Sequence, residues 1–186
     1  MFAVVFLGKT PRLASESNDS GDTRLDKIRS LIESSKFSIH DLSRCQAKKK
    51  GEHFRLNMPF ELGIDFGCRQ YFGKGRDKKK FLILEEKRYR FQAALSDISG
   101  CDICAYGDDL QWAPEKAIKH VRNWLVSEAG IAPVGAKLIW HRFSDFQEWY
   151  WKKKLDEGAD EEEIKEYPTS ELLIEMFAWM DAGQQT

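Results

Sequence analysis

A chain of 186 residues, 42% hydrophobic and 32% charged, has the size and composition of one globular domain with an appendage. Its 29 Lys and Arg nearly balance 30 Asp and Glu, giving a formal net charge of -1, which argues against a general nucleic-acid binder. No apolar run reaches the length of a membrane span, and Phe2–Leu7 lacks both the basic lead and the cleavage site of a signal peptide, so the expected location is the cytoplasm.

Phe2–Leu7 is an unbroken apolar run that reads equally as a buried strand or as part of a buried helix. Pro11–Ser17 is a possible second extended piece, and a turn-rich stretch follows to Asp22. Asp22 or Thr23 then caps a helix whose Leu25, Ile28, Leu31 and Ile32 share one face, and Ser34-Ser35 ends it. Phe37-Ser38-Ile39 starts a strand after a short connection, as a βαβ unit requires.

Residues 45 to 56 form a loop around Lys48-Lys49-Lys50-Gly51, long enough for a lid, although a solvated lysine run is the preferred reading. Pro59 suits the first position of the next helix, whose first turn then carries Glu61. Gly63 and Gly67 share a helix face, and each costs about 1 kcal/mol relative to alanine, so a packing reason is expected. Tyr71–Lys80 is a basic, glycine-bearing connector. Phe81–Leu84 is a candidate central strand. Lys87–Leu95 reads as a short helix, Cys101–Tyr106 as a strand, and Pro114–Gly130 as an amphipathic helix.

From Gly135 the chain turns helical, aromatic and highly charged. Asp160–Glu163 begins one helix, and Thr169 or Ser170 caps the last. The alternation of strands and helices implies an α/β fold, a flavodoxin-like doubly wound parallel sheet, over residues 1–134, with a C-terminal helical extension over 135–186.

Ligands of such sheets bind outside the carboxyl ends of the strands. That rule gathers His40, Asp41, Ser43, Arg44 and Glu61 around one crevice. Glu61 could act as a nucleophile or stabilise a cationic sugar, or simply complement the helix dipole. Asp41 and Ser43 could bind ribose hydroxyls and Arg44 a phosphate, or they could cap a turn and form a surface ion pair. His40 fits a structural histidine as well as a ligand contact, and Asn57 fits a helix cap. Cys101 and Cys104 form a C-x-x-C with no second pair or His couple to complete a zinc site. Residues three apart in a strand also point to opposite faces, so reduced thiols and no metal are expected.

The stretch Ser38-Ile39-His40-Asp41-Leu42-Ser43-Arg44, followed by Asn57-Met58-Pro59-Phe60-Glu61-Leu62-Gly63, resembles a group of uncharacterised bacterial proteins similar to the TIR and nucleoside 2-deoxyribosyltransferase-like superfamily. The resemblance covers about residues 10 to 107 and implies a flavodoxin-like fold with Glu61 as the catalytic carboxylate on an N-glycosidic bond. His40, Asp41, Ser43, Arg44 and Asn57 would be substrate-binding. It implies NAD or another nucleotide as substrate rather than a bound cofactor, and a place in bacterial antiphage defence. Two motifs depart from the pattern. Arg55, Leu56 and Asn57 stand where the transferases carry an Asp, and Met58-Pro59-Phe60 replaces the TIR aromatic and small residues. The resemblance also makes Phe2–Gly8 the first helix, with the usual first strand missing or outside this chain. The alternative function is a non-catalytic nucleotide sensor or a module that self-assembles into a homo-oligomer through its aromatic tail.

Overall fold

The structure, a computed structural model, describes residues 1–17, 19–45, 56–93, 95–109 and 111–183. The Lys48–Lys50 loop lies outside the described residues. The chain forms two compact units, Thr23–His120 and Met1–Asp22 with Val121–Thr186. The amino-terminal segment thus falls in the same unit as the tail.

The Thr23–His120 unit is α/β. It begins with α2 (Arg24–Ser34; α1 lies in the other unit), where the Thr23 side chain accepts from the Asp26 N–H, the predicted cap. Three parallel strands follow, β1 (Phe37–Asp41), β2 (Lys80–Glu85) and β3 (Ile103–Ala105), in the order β1-β2-β3. His40 pairs with Ile83, and Ile83 with Ile103. These strands stand in chain order. They do not contain the reversal of order that marks a doubly wound sheet.

Between β1 and β2 runs α3 (Asn57–Tyr71). It starts two residues before Pro59, which is tolerated as the third residue because the first four N–H groups have no intrahelical partner. Between β2 and β3 the predicted helix Lys87–Leu95 is replaced by two 3₁₀ turns, Phe91–Ala93 and Ser96–Ile98. Tyr89 has a φ of 65°, a left-handed conformation that interrupts a helix. Both connections cover the same face of the sheet, as successive right-handed crossovers in one direction require. Leu62 of α3 and Phe91 of the first turn share one core with Leu42, Cys45 and Ile83.

Helix α3 runs antiparallel to the strands. Leu62 packs with Leu42 and Ile83 near the carboxyl ends, whereas the Phe66 ring meets Phe81 at the start of β2, with centroids 5.0 Å apart. Gly63 and Gly67 do not use their missing Cβ atoms inside this fold, because a methyl added at either meets nothing within 4 Å.

The other unit is helical. It contains α1 (Phe2–Phe6), α5 (Ala136–Asp156), α6 (Glu161–Glu166) and α7 (Thr169–Asp181). Helix α4 (Ala113–Ala129) holds the division between the two units. The apolar run at Phe2 is thus a helix. It is one because its ring packs among the tail aromatics Phe143, Phe146 and Trp179, at 5.4, 5.5 and 5.8 Å between centroids. Asp160 is the N-cap of α6 and forms a capping box with Glu163. Pro168, not Thr169 or Ser170, precedes α7. Lys154 is buried among Glu157, Glu171 and Glu175, at 2.8, 2.8 and 3.0 Å. Among the described residues, no helix is long and apolar enough to cross a membrane.

Candidate functional site

The carboxyl edge of the sheet collects polar side chains from all three strand ends. Asp41 closes β1, and its carboxylate accepts from the Ser43 N–H at 3.0 Å, the turn that the sequence offered as its structural alternative. Tyr106, one residue past β3, donates its hydroxyl to both Asp41 oxygens at 3.2 and 3.0 Å. The contact spans the end of β2. Burial pushes the Tyr106 phenol up to about 12, and the Asp41 charge adds to this against an opposing bond with Ser43.

Glu85 ends β2 and Glu86 follows it, and both are buried. Arg90 binds Glu85, Glu86 at 2.6 Å and the Ser43 carbonyl at 2.7 Å. Burial alone would lower the guanidinium pKa, but the two carboxylates raise it. Arg90 therefore ties the end of β2 to the turn after β1. Cys45 is buried beside this group, and burial followed by the Glu85 charge lifts its thiol to about 11.

A second polar group lies beneath the edge. His40 Nε2 is 3.0 Å from Asp65 Oδ2, and Lys79 Nζ is 3.1 Å from Asp65 Oδ1. Asp65 is 0% and Lys79 2% exposed. The ammonium also donates to the carbonyls of Ile32, at 2.6 Å, and Ser35. Those carbonyls belong to the end of α2, where helices leave acceptors unpaired. Burial raises the Asp65 pKa, but the His40 hydrogen bond and the Lys79 charge outweigh it, so the carboxyl is held below its ordinary range.

The predicted site residues divide accordingly. Asp41 and Ser43 are together at the edge. His40 is not with them: neighbouring strand residues point to opposite faces, and its ring is buried against Asp65 under α3. Arg44 is exposed with no ion-pair partner among the described residues, and Arg90 occupies the position beside Ser43. Asn57 is the first residue of α3 rather than its cap, since Leu56 holds that place. Glu61 is the fifth residue of α3, beyond its first turn, because the helix begins before Pro59.

The orientation of α3 still aims Glu61 at the edge. Asp65 is pinned to β1 by His40, and Glu61 lies one turn, about 6 Å, further toward the carboxyl ends on the same helix row. It is half-buried, and its carboxylate is in no ion pair among the described residues.

Glu85, Glu86, Arg90 and Tyr106 were not predicted. A signal exists for three of them: Glu85 and Glu86 directly follow the predicted strand Phe81–Leu84, and Tyr106 is the last residue of the predicted strand Cys101–Tyr106. Arg90 has no such signal, because it sits in a stretch patterned like a helix that forms turns instead. Among the described residues, no group of His, Cys, Asp or Glu could hold a metal ion. In comparison with known proteins, the chain matches no family model, no curated protein and no solved structure.

Proposed function

We propose that the carboxyl edge of the Thr23–His120 unit is a nucleotide site of the flavodoxin-like kind that acts on the N-glycosidic bond of NAD or a nucleoside. The observation that supports this reading is the direction of α3, which brings Glu61, in no ion pair among the described residues, to the carboxyl end of the sheet, where Asp41 stands on the opposite face. Asp41, held by Tyr106 and the Ser43 N–H, is a fixed acceptor for sugar hydroxyls. Glu61 stabilises or traps the ribosyl cation as the base departs. Arg44 is exposed and able to meet a phosphate.

Incubation with NAD or a nucleoside panel, following release of nicotinamide or free base, tests the assignment. Glu61→Gln should lower turnover at least about 100-fold, the scale of losing one transition-state contact. Its stability should stay within about 0.5 kcal/mol, as for a substitution away from buried networks. Turnover unchanged in Glu61→Gln would sink the mechanism.

A second reading is nucleotide binding without turnover. It is favoured by Arg90, which already engages both β2 carboxylates and closes the edge on itself. Calorimetric binding with no base release would select it. Self-assembly through the tail belongs to the same reading, and α7 does leave Ile174 67% and Phe177 37% exposed.

A further inference from the structure

The opposite, amino-terminal edge of the same unit carries a different chemistry. Lys36 precedes β1, and Lys80 opens β2 with its N–H on the Lys36 carbonyl at 2.9 Å. Because α3 is antiparallel to the strands, its last turn also ends here, with Arg69, Tyr71 and Phe72. The connector then adds Lys74, Arg76 and Lys78, against one carboxylate, Asp77. Among the described residues, Lys36, Arg69, Lys74, Arg76 and Lys78 are in no ion pair. This local basic excess sits in a chain whose formal net charge is only -1.

The cations are interleaved with rings rather than with acids. Lys74 and Arg76 both lie 5.7 Å from the Phe72 centroid, and Arg69 lies 5.3 Å from that of Phe81. Tyr71 is 89% and Phe72 41% exposed. The backbone between them takes an unusual path, with positive φ at Gly73, Lys74 and Gly75. Lys74 has a side chain and still adopts it, and the turn sets its ammonium beside Phe72. One or two cations at a helix carboxyl end are explained by the helix dipole. A cluster that continues through the connector to two strand starts is not.

We infer that this edge is a binding surface for single-stranded nucleic acid, with the cations on phosphates and Tyr71 and Phe72 as stacking platforms for bases. A duplex would satisfy the cations but hide the base faces from the rings. The surface is separate from the carboxyl edge and does not depend on the function proposed there.

The test is fluorescence anisotropy of the full chain with a labelled 20-nucleotide oligouridylate. Binding is expected at 50 mM salt. With four or five phosphate contacts, affinity should fall roughly 60-fold by 200 mM salt. Lys36→Glu/Lys74→Glu/Lys78→Glu, at three exposed positions, should abolish it. Tyr71→Ala should weaken it about tenfold, the loss of one stacked base. If the triple variant unfolds by circular dichroism, Tyr71→Ala, at a side chain that supports no packing, decides alone. No binding at 50 mM salt overturns the proposal. So does binding that survives these substitutions. Equal binding to duplex or to phosphatidylserine vesicles, without dependence on Tyr71, also overturns it and leaves a plain polyanion surface.

Discussion

Lys79→Met is expected to destabilise the Thr23–His120 unit by about 3–5 kcal/mol, the cost of removing one partner from a buried ion pair. The substitution keeps an unbranched chain of similar length, so little packing is lost. What is lost is the charge. Asp65, 0% exposed, would keep its hydrogen bond to His40 but lose the ammonium. The carbonyls of Ile32 and Ser35 at the end of α2 would lose their shared donor, and buried acceptors without partners are costly. Urea denaturation followed by far-ultraviolet circular dichroism measures the effect. Tryptophan fluorescence would report mainly the other unit, because Trp112 is the one tryptophan between Thr23 and His120. A loss below about 1 kcal/mol would show that the network is not the clasp described.

The same network sets an acid limit. The folded pKa of Asp65 is depressed, so its stabilising contribution is fully present above the unfolded value, about pH 4. It is lost as pH falls through the folded value. The difference between wild type and Lys79→Met should therefore be full at pH 7 and shrink below about pH 4.

Trp179→Ala is expected to cost the helical unit about 3–5 kcal/mol. The indole is 2% exposed, and its ring lies 5.8 Å from both Phe2 and Phe146, edge-on to the latter at 77°. The deletion leaves a cavity and also removes two aromatic pairs, each worth about 0.5–1.5 kcal/mol beyond their area. A double-mutant cycle with Phe2→Ala should show coupling, since the rings touch. Strict additivity would mean that the amino-terminal helix is not held by this contact. The geometry also bears on truncation: removing residues 136–186 would strip α1 of its ring partners, so it cannot report on self-assembly alone.

Much of the candidate site was legible because strand ends announce themselves. Asp41 ends an apolar run that is a strand and Ser43 follows it, so both stand at its carboxyl end. The carboxyl-edge rule failed for His40, where one step along the strand reverses the face. Glu61 was placed by Pro59 in the first turn, but proline is tolerated at several positions of an open helix end, and the helix began earlier.

The sequence by itself determined the elements whose signals are local. The Thr23 cap, the strands at Phe37 and Phe81, the helix after Pro114 and the Asp160 capping box all lie within a few residues of the features that specify them. Only the tertiary structure decided the rest. Phe2–Phe6 became a helix through rings more than a hundred residues away. Lys87–Leu95 lost its helix as Arg90 turned to the strand ends. The buried clasp joins His40 to a residue 25 positions on, and Lys79 to one 47 positions back. Periodicity reports which face of an element avoids water, but a charge is buried only where distant partners meet it, and no local pattern carries that.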